Sequence, residues 1–191
     1  MIDAAIGVIA ERGIRSFSLA ETSRRLGVTV AAPYSHFTDR DELLVAVAQR
    51  AVAALAASLA AEISDARTAT ARLAAAARGY VRFASVNRPL FEVLFGAGLN
   101  KHDHPELEEA AQQISEHFLK PAHVLCPAGV HEAENLALTV ATAAHGHATL
   151  LLDGAFGTDD HAVHIAMTRA ADTARAIILG RKAITGTPRP Q

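Results

Sequence analysis

The chain has one cysteine, Cys126, no tryptophan, and only 5% aromatic residues. A single thiol excludes an internal disulfide and any zinc site built on several cysteines. It fits a reducing, cytoplasmic compartment. An excess of charge is lacking too: 18 Lys and Arg against 20 Asp and Glu leave a formal net charge of -2. No global positive field advertises a nucleic-acid partner, so DNA binding would need a local patch. The stretch Met1–Arg15 carries Asp3 and Glu11 and lacks the basic-then-apolar pattern of a signal peptide. Ala51–Ala61 is mostly alanine and stops at Glu62, and Leu136–Leu152 contains His145 and His147, so no membrane span is expected. Catalytic signatures are missing as well. There is no Gly-x-Ser-x-Gly elbow, no glycine loop for phosphate and no His-Glu-x-x-His helix. Nothing points to a cofactor or to an enzyme.

What is present is alanine and helix periodicity. Half of the 191 residues are hydrophobic, enough for a real core in one or two domains. β-Branched alternation is scarce, which speaks against a mononucleotide-binding α/β fold. The pattern predicts helices at Ile2–Arg12, Ser18–Leu26, Thr29–Phe37 and about Arg40–Ile63. Five more follow at Thr70–Val86, Leu90–Phe95, Glu106–Leu125, Glu132–Leu152 and Asp159–Lys182. Gly13 and Gly27 stop the first two, and Ser18 with Glu21 forms a capping box. Thr38 or Asp39 caps the fourth, and Pro121 should kink or shorten its helix. The expected division is a head at 1–44, a helical body at 45–182 and a frayed tail at 183–191.

The informative segment is Ser18 to Phe37. It reads as a helix, a tight turn at Gly27 and a second helix. Leu26, Val28 and Phe37 would join Ile6, Ile9 and Phe17 in a small core. A helix held this way protrudes, and its start fits a DNA major groove. Thr29, Val30, Ala31, Ala32, Ser35 and His36 would face the groove, and the Tyr34 hydroxyl a phosphate. Residues 1–50 hold six arginines and six acidic residues. The charges cancel, so each subunit should bind weakly and dimerisation is needed.

From Ala4 to Leu44 the chain resembles the DNA-binding domain of the tetracycline-repressor (TetR) family of transcriptional regulators. The resemblance rests on Ala10-Glu11-Arg12-Gly13, Ser18-Leu19-Ala20, Arg25-Leu26-Gly27-Val28, Tyr34-Ser35-His36-Phe37 and Arg40-Asp41-Glu42-Leu43-Leu44. It implies an all-α fold, phosphate contacts from Thr29 and Tyr34, a backbone grip from Arg40, and sequence reading between Thr29 and His36. Pro33 departs from it, standing where Leu is more usual, and should tighten or re-aim the second helix. The chain also begins inside the usual first helix, without the basic extension many relatives carry; a shortened gene start would account for that. Further on, Ala144-His145-Gly146 partly matches a subclass signature of Trp-His-Gly.

The last two long helices have broad apolar faces. Leu136, Val140, Ala143, His147 and Leu150 form one stripe, and Ala137, Ala141, Ala144, Ala148 and Leu151 a second. Val163, Ala166, Met167, Ala170, Ile177 and Ile178 line the last helix. Two faces need two partners, which points to a homodimer through a four-helix interface. Tyr80, Phe83, Phe91, Phe95, Phe118 and His145 are the candidates for a small-molecule effector pocket. The pairs His102/His104 and His161/His164 lack a third ligand at fixed spacing, so no metal site is expected. The nine histidines after residue 50 could still make the body pH-sensitive. The overall expectation is a ligand-responsive repressor that binds a palindromic double-stranded operator as a dimer. The other readings are a helical small-molecule-binding or scaffold protein that has lost DNA binding and, third, a Cys126- or His-based enzyme.

Overall fold

The computed structural model describes residues 1–99 and 104–185, with side chains as far as Arg181 in the last helix. His102 and the tail from residue 186 lie outside the described residues. Among these, eight α-helices account for nearly all regular structure: α1 (Ile2–Arg12), α2 (Leu19–Leu26), α3 (Arg40–Ile63), α4 (Ala69–Val86), α5 (Arg88–Gly96), α6 (Pro105–Leu125), α7 (Val130–Leu152) and α8 (Asp160–Thr185). Two short 3₁₀ turns, Ile14–Ser16 and Ala32–Ser35, complete the set. Pro121 lies inside α6, which runs on to Leu125, so it does not shorten the helix. The last helix continues into the expected tail as far as Thr185. By length and a mean hydropathy of 1.9, α3 alone among the described helices could cross a membrane, yet half of that window is buried within the protein.

The chain forms two compact units. One is Met1–Ala54 with Asn87–Gln112, and the other is Leu55–Val86 with the chain from Gln113 onward. The first unit is larger than the 1–44 head expected from sequence, because α5 packs on α1 and on the Ile14–Ser16 turn. Leu90, Phe91 and Val93 supply the buried face of α5. Nothing local in the sequence reveals that partner.

Helix ends in the first unit follow short-range chemistry. Ser18 Oγ accepts the Glu21 N–H at 3.2 Å. Gly27 takes the left-handed conformation, φ 69°, and the N–H groups of Gly27 and Val28 close on the carbonyls of Arg24 and Ser23. That pattern satisfies carbonyls a helix end would leave open. Asp39, not Thr38, caps α3: its Oδ1 accepts the Glu42 N–H at 2.9 Å, while the Glu42 carboxylate accepts from the Thr38 N–H and hydroxyl. The core holds Ala4, Ala5, Val8, Ile9, Phe17 and Leu19, with Leu43, Leu44 and Val47 from α3. Leu26 and Val28 are not in it; they are 43% and 44% exposed. The turn at Gly27 carries both outward.

In the second unit α4, α7 and α8 pack against one another. Small residues allow it. Ala76, Ala77, Ala144, Ala148, Ala166 and Ala174 are fully buried. At Gly79 a Cβ would stand 2.9 Å from the Ser58 carbonyl oxygen and 3.0 Å from Leu59 Cα. Ser58 Oγ donates to the Gly79 carbonyl there at 2.8 Å. Glu62, largely buried, holds both Arg78 and Arg82.

Candidate nucleic-acid interface

The segment expected to be a recognition α-helix over Thr29–Phe37 is instead a succession of tighter turns. Ala32 N–H donates to Thr29 O at 3.0 Å, Tyr34 N–H to Ala31 O at 3.2 Å, and His36 N–H to Pro33 O at 2.9 Å. Each of these bonds spans three residues, and only Ala32–Ser35 is regular, as a 3₁₀ helix; at the end of the segment Phe37 N–H adds an α-type bond to Pro33 O at 2.9 Å. Pro33 gives the physical reason. An α-helix starting after Thr29 would need residue 33 to donate to the Thr29 carbonyl, and proline has no N–H. Ala32 takes that carbonyl instead, which winds the chain tighter. Pro33 itself is buried on the inner side of this turn.

The outer side is what a partner would meet. Every residue from Arg24 to Ala31 is exposed, and so are Tyr34, Ser35 and His36. Val30 is 54% and Tyr34 58% exposed. Leu26 and Val28 belong to the same face. Ala32 is half-buried, and Ser35 Oγ donates to its carbonyl at 2.7 Å. The beds beneath are closed: Thr22 and Ser23 are fully buried, and each hydroxyl donates to the carbonyl four residues earlier. Apolar and hydroxyl-bearing side chains therefore stand out on a rigid base, the kind of surface that touches thymine methyls and base edges.

Positive charge is handled differently from the expectation. Arg40, the expected backbone grip, donates to the carbonyls of Phe17 and Ile14, both at 3.2 Å, and lies over the Phe17 ring at 5.6 Å. It ties α3 to the chain between α1 and α2. Arg25 pairs with Glu11 at 2.6 Å. Glu21 does not reach back to complete a capping box; its carboxylate pairs with Arg12 at 2.9 Å and with Arg24. Two guanidinium groups outcompete one neutral N–H for that carboxylate.

The expected effector residues divide between the units. Phe91 and Phe95 belong to the first, ring centroids 4.9 Å apart, with Phe95 46% exposed. Tyr80, Phe83, Phe118 and His145 belong to the second. Phe83 is wholly buried, and Phe118 nearly so. The Tyr80 hydroxyl and His145 Nδ1 lie 3.0 Å apart. Burial pushes the tyrosine upward from its usual pKa and His145 downward, so both are neutral near pH 7. A separate open cavity of about 180 Å³ lies in the second unit among Ile63, Arg72, Gln113, Glu116, His117, Lys120 and Pro121. None of the expected effector residues lines it. Among the described residues no three His, Cys, Asp or Glu side chains converge as metal ligands.

Two family profiles match. Residues 1–47 match "Bacterial regulatory proteins, tetR family", and residues 73–174, more than half of the chain, match "Tetracyclin repressor-like, C-terminal domain". The chain belongs to the TetR family. A comparison with curated proteins returns no match. Solved structures agree with the fold of this TetR-family regulator. A protein with unknown function from Rhodococcus sp. RHA1 is 29% identical with a TM-score of 0.74, over 92% of this chain and 91% of that one. A regulatory protein in the tetR family from Rhodococcus RHA1 is 18% identical with a TM-score of 0.75, over 93% and 94%. The TetR family transcriptional regulator PfmR from Thermus thermophilus is 19% identical with a TM-score of 0.66, over 98% of each chain. Its family makes this chain a helix-turn-helix, DNA-binding transcriptional regulator. Sequence reasoning missed the outward Leu26 and Val28 and the ion pairs at Glu11 and Glu21. The one-turn spacing of Glu21 and Arg24 was the available signal for that pair; the partners of the other two pairs stand 14 and nine residues apart in the chain.

Proposed function

We propose that this TetR-family protein is a ligand-responsive repressor that binds a palindromic operator as a homodimer. The exposed face from Leu26 to His36, raised on a closed core, carries this reading. Thr29, Val30, Ala31, Ala32, Ser35 and His36 meet the major groove, and Tyr34 meets a phosphate. Arg40 ties α3 to the chain between α1 and α2. The dimer reading is supported by Leu138, Leu150 and Leu179, which are 67%, 50% and 83% exposed on α7 and α8. These are large apolar side chains that the two helices leave uncovered within one chain. Tyr80 and His145 give the body a polar pair for orienting an effector. That effector represses or releases the operator only by binding one conformation better than another.

Selection of genomic fragments by the purified protein, at two salt concentrations, tests the reading. One enriched palindrome is the expected result. Val30→Asp should abolish binding to it while the dimer persists in sedimentation. Retained binding by that variant removes Val30 from the groove. Tyr34→Phe should weaken all sequences alike. Leu179→Glu should yield monomers. The engaged arginines of the head favour a second reading, a helical small-molecule-binding protein without DNA function. No duplex binding even at low salt would support it.

A further inference from the structure

We propose that Glu11 and Glu21 set the DNA affinity of the head, by holding as internal ion pairs the guanidinium groups that phosphates would otherwise take. The inference rests on the DNA-binding reading above and adds a regulating element to it. Three arginines are involved. Arg25 is held by Glu11, and Arg12 and Arg24 by the two oxygens of Glu21. The arginine side chains remain at the surface, 40% to 68% exposed, while the Glu21 carboxylate is only 12% exposed. The cations are within reach of an outside anion. Arg24 and Arg25 also begin the exposed run that continues into Val28, Thr29 and Val30.

A second feature supports the arrangement independently. A Cβ at Gly7 would lie 2.7 Å from Arg25 Cζ and Nε. The missing side chain on α1 leaves the bed in which the Arg25 guanidinium lies on its way to Glu11. Glycine in a helix interior costs stability relative to alanine, so the space weakens α1. The Arg25 bond in turn holds the Glu11 carboxyl below its usual pKa. Arg40 is a different case, because besides pairing with Asp41 at 3.1 Å it also serves two backbone carbonyls and an aromatic face.

The consequence concerns counterions. A free guanidinium that neutralises a phosphate releases the condensed cation there, and affinity then falls steeply with salt. A guanidinium that leaves a carboxylate for a phosphate bares that carboxylate, which takes up a cation. The net release is small, so binding is weaker and less salt-dependent. The head then relies on its apolar and hydroxyl face to discriminate sequence.

The experiment measures affinity for a labelled mixed-sequence DNA duplex of about thirty base pairs across a salt series, a probe of phosphate contacts alone. The full chain is compared with Glu11→Gln, Glu21→Gln and Gly7→Ala, with helicity and oligomeric state checked for each. Gly7→Ala is the decisive variant. It unseats Arg25 without changing net charge, and alanine favours the helix. All three should bind more tightly than the parent. The slope of log affinity against log salt should steepen by about 0.9 for each phosphate newly neutralised. Two such contacts per dimer mean about tenfold more affinity lost between 50 and 200 mM salt. Unchanged affinity and slope in Gly7→Ala and Glu11→Gln would overturn the proposal and leave the DNA-binding reading intact. Tighter binding by the two Gln variants at the parental slope, with Gly7→Ala unaffected, would reduce the effect to net charge and overturn it too. If the parent and every variant ignore the duplex at low salt, the DNA-binding reading itself fails.

Discussion

In the first unit α2 spans eight residues and α5 nine; in the second, α4, α7 and α8 run for 18, 23 and 26. Short helices do not offset their nucleation cost from internal bonds alone. In this unit α2 therefore leans on its ends, the Ser18 cap and the Gly27 closure, and the 24-residue α3 starts on the Asp39 cap with Glu42 behind it. The long helices of the second unit rely on contact along their length, through alanines and Gly79 at the crossings. Both units use one carboxylate to hold two arginines, Glu21 in the first and Glu62 in the second. Around Glu62 the arrangement braces α3 against α4. Around Glu21 it lies beside the proposed reading face, where a brace doubles as a restraint. The lesson is that end chemistry leaves surfaces open for a partner, whereas close packing uses them up.

The largest expected effect falls in the second unit. Phe83→Ala removes a wholly buried ring and should cost about 3–5 kcal/mol in denaturant unfolding. If hydrogen exchange then shows first-unit amides equally weakened, the two units unfold as one and the contrast breaks. Gly79→Ala comes next. Its Cβ meets backbone, which cannot turn aside, so overpacking of about 1–3 kcal/mol should exceed the gain of roughly 1 kcal/mol in helix propensity. A variant more stable than the parent would show that the helices separate freely at that crossing. Ser18→Ala and Asp39→Ala should each cost about 1 kcal/mol, read as faster exchange in α2 and in the first turn of α3. No change would mean that tertiary contacts, rather than caps, hold α2 and the start of α3.

The smallest effect depends on pH. Burial lowers the pKa of His145, and burial together with Lys120 lowers that of His117. The unfolded chain, with ordinary histidines near 6.5, then binds more protons than the folded one in this range. Their contribution to stability is present above that ordinary value and is lost as pH falls below it. The unfolding midpoint should drop between about pH 7.5 and about 5.5, on either side of that value. His145→Gln should shrink the drop. A flat profile would show that the Tyr80–His145 pair accepts the proton without penalty.

Much of the fold was legible because helix ends are local. Gly13, Ser18 and Gly27 place boundaries within about a residue or two of those observed. The TetR resemblance at Ala10–Gly13, Arg25–Val28 and Tyr34–Phe37 was equally open to reading. The single apolar stripe buried on α7, running Ala133, Leu136, Ala137, Val140, Ala144, Ala148 and Leu151, was blurred into two, because alanine marks buried and exposed sides alike. Leu26 and Val28 read as core for the opposite reason: apolar residues beside a turn have no periodicity to show which way they point. The reading of 29–37 as an α-helix underestimated Pro33, whose missing N–H removes the bond that residue 33 would donate to the Thr29 carbonyl at the start of the segment.

Caps and glycine stops act between neighbouring residues, so the helix limits, and the family they compose, could be read from the chain alone. Only the tertiary structure decided that α5 joins α1, that Arg40 serves two carbonyls, and that Gly7 makes room for Arg25 to reach Glu11. Each of those depends on side chains distant along the chain meeting in space, where shape and competing partners, rather than propensity, choose the contact.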